Sequence, residues 1–392
     1  FPTPAIDVAR VIRLTGDDGH ARFHTRVRGL PETLGELPSA ALAEEIETPG
    51  PGQVRGFLSF TGNPVLSAPN GRRIDSALRT LDFMVSVDLY VNETTRHADL
   101  ILPPAGVLAE EHYDLFFPLM SIRNRVRRSP PVVAREPGQR HDVEILVALA
   151  RRLGGGPTGM RIFDRALGLA ERLGFPYSPR PTLDLLLRTG AWGDRWQPWR
   201  DGLSLSKVDA DVYGADLGPL QTGIAHRVFH PNGRVALAPT PLLRAWEELT
   251  TELARPPTDD ALLLIGRREV RSNNSWMHNV PGLVSGRERC VLFLHPTDAE
   301  ARKIADGDEA ILESRVHRGA VRVKLSDEVM PGVVSLPHGW GHAEVARWQK
   351  TAGAHAGVSM NDWTDDAEVE GVVGQAILNG VPVSLHAAGG AA

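Results

Sequence analysis

One cysteine, Cys290, is all the thiol chemistry that this 392-residue chain carries. A single sulfur closes no intrachain disulfide and cannot furnish a four-thiolate zinc site or a cysteine-held iron–sulfur cluster. It lies in RCVLFLHP, an apolar run that reads as a strand, so a buried inert thiol is expected, with a reactive thiol as the alternative. No apolar run approaches the roughly 20 residues of a membrane-crossing helix. The chain begins FPTPAIDVAR, without Met and without a basic segment leading into an apolar one. A processed or partial chain is therefore expected, cytoplasmic unless a preceding segment carries an export signal. Positive charge is not in excess either: the net charge of −5 argues against a nucleic-acid partner held by a broad basic surface.

What is present is ordinary for a globular protein: 42% hydrophobic and 23% charged residues. The length exceeds one ordinary core, so two domains are expected, residues 1–255 and 256–392. In the first, VRGFLSFTG (54–62), FMVSV (83–87) and LILP (100–103) read as strands. The helical pattern RRIDSALRTLDF lies between the first two, and a short helix between the last two. That alternation predicts an α/β domain with a parallel sheet. DVEILVALARRLGG (142–155) is amphipathic with a glycine stop, whereas residues 156–255 give no clear order. ELARPPTDDA (252–261) reads as a linker. Beyond it, ALLLIG, EAILES, GAVRVKLS and GVVSLP read as strands of a compact β-barrel. HPTDAEARKIADGDE adds a short helix opened by a Thr297–Glu300 capping box and closed at Asp306-Gly307.

Several stretches carry more polar chemistry than folding requires. DLYVNETTRHADLILP (88–103) interrupts two buried strands with hydrogen-bonding groups. Ligands of parallel sheets sit at the carboxyl ends of strands, where Asn63 and Asp88 fall. A carboxylate there can accept two parallel bonds from a guanine edge, and Thr94 and Thr95 offer hydroxyls and amides to phosphate. The alternative is that Asn92 and the threonines only cap a helix while Asp88 pairs with Arg96. GRREVRSNNSWMHN (266–279) follows a buried strand with arginines suited to phosphate and small amides suited to a polar heterocycle; a solvated basic hairpin is the alternative. In PHGWGH (337–342), His338 and His342 have the spacing of a zinc helix, but the glycines favour a loop presenting His and Trp to a planar ligand. GVSMNDWTDD places Asn361 in a loop. No complete catalytic set accompanies these groups.

GNPVLSAPN…LDFMVSVDLYVNETTRHADLILP resembles the third domain of the molybdopterin oxidoreductases, the superfamily of dimethyl sulfoxide reductase and formate dehydrogenase. IGRREVRSNNSWMHN, HPTDAEARKIADGDEAILES and PGVVSLPHGW resemble its C-terminal dinucleotide-binding domain, a double-psi β-barrel. The likeness runs in the family's order from about residue 20 to the end, nearest the formate dehydrogenase side. It implies bis-molybdopterin guanine dinucleotide with molybdenum or tungsten, held by Asn63, Val87, Asp88, Thr94, Thr95 and Asp142. In the barrel it implies Gly266, Arg267, Arg268, Ser272, Asn273, Asn274, His338, Gly339, Asn361 and Asn379. RVRGLPETLG (26–35) loosely matches the formate dehydrogenase segment whose arginine faces substrate, which makes Arg28 the catalytic candidate, although Leu30, Pro31 and Glu32 replace the expected polar residues.

Family enzymes begin with a lobe that supplies the metal ligand and, often, an iron–sulfur cluster. The resemblance therefore implies the C-terminal half of an enzyme, not competent alone. Its partners would be that lobe or a companion subunit, together with a small-molecule substrate and an electron-transfer protein. A structural subunit that keeps the fold without the metal is the alternative, and a non-redox hydratase a further one.

Overall fold

The computed structural model describes residues 2–7, 19–156, 161–174, 177–223, 228, 232–254 and 261–388. Contacts sort the chain into two compact units that interleave along it: residues 1–18 with 103–237, and residues 19–102 with 238–392. The expected linker, 252–261, falls largely on residues 255–260, outside the described residues.

The second unit holds a small parallel sheet. Strands β1 (Gly56–Phe60), β2 (Phe83–Val87) and β3 (Leu100–Ile101) pair in that order, each parallel to the next. All three lie within the apolar runs read as strands. Helix Gly71–Leu78 follows Asn70, whose left-handed backbone and side-chain oxygen cap the amide of Arg73. Its buried stripe, Ile74, Ala77 and Leu78, packs with Met84 of β2 and with Ile46 and Val65. Each fully buried aliphatic side chain of this kind contributes about 1.5–3 kcal/mol.

The same unit contains a closed six-stranded barrel. Its strands are β4 (Leu262–Arg267), β5 (Leu292–Leu294), β6 (Glu309–Glu313), β7 (Arg318–Leu325), β8 (Val333–Pro337) and β9 (Val381–Ala387). Around the barrel they run β4-β8-β5-β7-β6-β9, with β4/β8 and β5/β7 parallel and the other pairs antiparallel. Period-two patterning turns Leu262, Leu264, Ala310, Leu312, Val321 and Val323 inward. Trp363 closes the core, its indole N–H donating to Leu312 O at 2.9 Å. Closure leaves no free strand edge.

Two local expectations fail. Helix Pro296–Arg302 is capped by His295, whose Nδ1 accepts from the Thr297 amide at 3.2 Å, so Thr297 is not the cap. Pro296 takes the first helical position, where a missing N–H costs nothing, and this pushes the cap one residue upstream of it. The helix also ends at left-handed Lys303 rather than at Asp306-Gly307.

In the first unit, helix Asp142–Arg152 forms as its periodicity predicts, followed by Gly154 at φ +81°. Helices Pro179–Thr189 and Leu205–Ala210 pack Leu187, Leu205 and Val208 around Val126. Tertiary packing thus orders a stretch whose own sequence pattern is weak.

Candidate functional site

The polar stretch after β2 is wired to itself. Asp88 Oδ1 accepts from the amides of Leu89 (2.6 Å) and Tyr90 (3.2 Å), and its Oδ2 accepts from the Asn92 side chain at 3.1 Å. Asn92 Oδ1 accepts from the amides of Thr94 and Thr95. The Thr95 hydroxyl donates to Tyr90 O, and that of Thr94 donates to Asn63 Oδ1 at 2.7 Å. Both threonines are fully buried, so they offer nothing outward to a phosphate; they shape the turn, as the capping alternative has it. The other half of that alternative does not form: Arg96 pairs with Asp75 and Glu344, and Asp88 stays half-buried at the strand end. Val87 is completely enclosed.

Opposite this rim stands the loop after β4. Arg267 lies against the outer wall of the barrel: its Nη1 donates to Ser335 O, its Nη2 to Val291 O, and its guanidinium carbon lies 3.7 Å from the centre of the Phe293 ring. Burial lowers its proton affinity, and these bonds tie it to the barrel wall. Arg268 points outward and donates to Asn274 Oδ1. Asn273 and Asn274 both have left-handed backbones (φ +43° and +59°), which asparagine tolerates better than most residues. Gly339 has φ +101°, and a Cβ there would lie 2.2 Å from Asn274 O. The two loops touch backbone to backbone, leaving their polar groups facing outward.

Two adjoining cavities result. One, of about 390 Å³, brings Asn63 of the sheet rim together with Gly266, Arg268, Asn274, His338, Gly339, Asn361 and Asn379. Asn361 is buried with its Nδ2 donating to Leu66 O at 2.7 Å, and Asn379 Oδ1 accepts from the Gly266 amide at 2.8 Å. The other, of about 650 Å³, is lined by Arg268, Arg271, Ser272, Asn273, Asn274 and His338 among others. Its carboxylate, Glu269, is turned to Arg267, so Arg268 and Arg271 give the wall a positive surplus. His338 lines both cavities, and burial together with the Arg268 charge lowers its pKa. The volumes suit small-molecule ligands, and guanidinium groups beside amides suit a phosphate-bearing heterocycle.

Two candidates are not among the residues named as lining either cavity. Arg28 donates to Glu44 and to the carbonyls of Ala40 and Ala367, so its guanidinium ties chain segments together. Asp142 belongs to the other compact unit, where its carboxylate accepts from the Val143 amide at the start of its helix.

A further arrangement went unread in the sequence, although Ser272 and His342 were singled out there for other roles. His278 Nε2 lies 2.9 Å from Ser272 Oγ, and its Nδ1 lies 2.7 Å from His342 Nε2. His342 Nδ1 lies 2.7 Å from Glu93 Oε1, and Glu93 Oε2 accepts from Asn63 Nδ2 at 2.7 Å. All but Asn63 are buried. Burial and the neighbouring His342 push His278 down to about 4. The signal available was the number of polar residues in apolar surroundings, but their pairing joins positions 249 residues apart. Residues 338–342 form a turn and loop rather than a helix, as the glycines of PHGWGH predict. Cys290 is buried and its thiol pushed up to about 12, which fits the inert reading.

Residues 9–152 match the molybdopterin oxidoreductase family, and residues 262–382 match the molydopterin dinucleotide binding domain. The catalytic subunit of the assimilatory nitrate reductase of Bacillus subtilis is 25% identical over 84% of this chain and 43% of its own length. The catalytic chain of a proposed dimethyl sulfoxide reductase of Halobacterium salinarum is 28% identical over 85% and 40%. The alpha chain of an F420-dependent formate dehydrogenase of Methanocaldococcus jannaschii is 26% identical over 72% and 38%. The chain thus spans about two fifths of the length of these relatives. Acetylene hydratase from Pelobacter acetylenicus shares the fold, with a TM-score of 0.56 at 18% identity over 89% of this chain and 46% of that one.

Proposed function

Because the chain belongs to the molybdopterin oxidoreductase superfamily, with the oxidoreductase domain at residues 9–152 and the dinucleotide-binding domain at 262–382, we propose that it is the cofactor-holding portion of a molybdenum or tungsten bis-pterin oxidoreductase. The observation that carries this reading is the pair of adjoining cavities, where sheet rim and barrel loops converge around outward arginines and amides. Arg268 and Arg271 would hold phosphates of a guanine dinucleotide tail, with Ser272, its hydroxyl turned to His278, on the same wall. Asn63, Asn274, His338, Asn361 and Asn379 would meet the ring systems, and the Gly339 approach lets backbone come close to a flat ligand. Asp88 would meet a guanine edge with the acceptor capacity its turn leaves unused. When bound, such a cofactor supplies two-electron redox chemistry at its metal; the protein binds, orients and excludes water. Formate chemistry through Arg28 is not part of this proposal, since its guanidinium is committed elsewhere.

The test is metal and nucleotide analysis of the purified chain, alone and co-expressed with the remaining part of a full-length relative, together with GDP titration by calorimetry. Molybdenum or tungsten with about two guanine nucleotides per metal is expected in the co-expressed sample. GDP should bind the chain, and Arg268→Ala should weaken it. Neither metal, pterin nor GDP binding in any sample overturns the reading and favours a scaffold without a cofactor.

A further inference from the structure

The Ser272–His278–His342–Glu93 chain has a geometry that the binding reading does not require. Anchoring two loops together would need only apolar contact, and burying polar groups is costly unless every one of them is satisfied. Here each member faces the next through one donor and one acceptor. Ser272 stands on the wall of the larger cavity; the opposite end, Glu93, holds Asn63 on the wall of the smaller one. The row therefore connects two walls through the interior.

We infer that Ser272, His278, His342 and Glu93 form a one-proton relay that exchanges a proton at the cavity wall through the Ser272 hydroxyl and stores it between His342 and Glu93. Counting hydrogens fixes two states. In the empty state Glu93 is a carboxylate and accepts from His342 Nδ1–H and from Asn63. His342 Nε2 then accepts from His278 Nδ1–H, and His278 Nε2 accepts from the serine O–H. In the loaded state a proton from the cavity joins Ser272 Oγ as the hydroxyl passes its own to His278 Nε2. The Nδ1 proton of His278 moves to His342 Nε2. No covalent skeleton changes, one positive charge arrives, and it rests on the His342 ring against the Glu93 carboxylate. His278 is unsuited to keep the charge: burial, His342, Arg289 and His338 all disfavour it there, with only Glu93 opposing them. The proton accordingly passes through His278 and stops at His342. The imidazolium formed beside Glu93 draws on the charge of the carboxylate and so weakens its hold on the Asn63 amide, and loading is felt at the smaller cavity.

The relay's existence needs only this fold; its use in turnover rests on the cofactor reading above. The experiment is two-dimensional ¹⁵N histidine spectroscopy on the full chain between about pH 5 and 9, where imidazole tautomers are distinguishable. At the alkaline end both rings are expected as Nδ1–H tautomers. On acidification His342 gains a second proton while His278 switches to Nε2–H in the same step. Glu93→Gln should remove that step from the range. In Ser272→Ala, exchange of the His278 ring proton with D₂O should slow roughly a hundredfold, the lower end of what a positioned proton-transfer group contributes; Ser272→Thr should restore it. Tautomers that never change over the range, or a Ser272→Ala chain exchanging as fast as the native one, overturn the relay. The coupled switch in a chain that takes up neither metal, pterin nor GDP, alone or co-expressed, supports the relay while overturning the cofactor reading, which keeps the two failures apart.

Discussion

Gly339→Ala isolates the contact on which both cavities depend. The substitution meets two costs. The first is backbone strain, since φ +101° lies where a side chain is rarely tolerated; this costs about 1–2 kcal/mol. The second is steric: the new methyl would sit 2.2 Å from Asn274 O, 2.6 Å from its carbonyl carbon and 3.2 Å from the Ser275 amide. Those atoms are backbone, so the turn must shift, at a further cost of about 1–3 kcal/mol. Gly332→Ala is the control. Its φ is +82°, and no atom lies within 4 Å of the added methyl, so it bears the strain alone. The change that any Gly→Ala substitution makes to the unfolded chain is common to both variants and cancels. The difference between them is then about 2 kcal/mol, which for a body of this size moves the melting temperature by roughly 4–8 °C. Thermal unfolding followed by circular dichroism reads it directly. GDP titration reads the second consequence, because displacing Asn274 releases its hold on Arg268. If the two variants melt together and bind alike, the loops do not meet backbone to backbone, and the account of how the cavities are shaped is refuted.

Other outcomes follow from the same geometry. Asp88→Ala should remove three hydrogen bonds from the turn after β2, lowering stability by about 0.5–2 kcal/mol, as loss of a cap does, while the chain stays folded and loses guanine nucleotide; unchanged nucleotide content counts against its role. Arg268→Ala and Arg271→Ala should each weaken GDP and flatten its salt dependence, measured by titration at low and high ionic strength. Burial raises Asp362 to about 6, despite Arg72 at 3.3 Å. Its folded form therefore holds a proton more tightly than the unfolded chain. Stability is lowest above that value and rises as the pH falls through it toward the ordinary carboxylate range. Asp362→Asn should raise the melting temperature at neutral pH and remove this slope; an unchanged slope in pH-dependent denaturation refutes it. Cys290 should resist thiol reagents in the native chain and react once unfolded; rapid native labelling contradicts its burial.

Sequence alone settled whatever depends on neighbours along the chain. Short apolar runs marked β1 and β2, and alternation marked β6 and β7, because period two admits only one buried face; β9 was not read. The 3.6-residue stripe likewise specified helix Asp142–Arg152. The motif residues Asn63, Arg268, Asn274, His338, Gly339, Asn361 and Asn379 were also legible, and the fold brings them to one lining. What tertiary structure decided was the direction in which side chains spend their hydrogen bonds. Arg267 and Arg268 are adjacent and chemically alike, yet one is buried against Phe293 and the other faces the cavities, because successive residues leaving a strand point to opposite sides. Thr94 and Thr95, read as phosphate donors, were claimed by Asn63 and Tyr90, and Arg28 by Glu44. Glu93, His278 and His342 are separated by long stretches of chain and become partners only when the sheet and barrel loops close on one another. No local pattern encodes that pairing: it is set by which loops the two sheets bring together, and by the high cost of leaving any buried polar group unpaired.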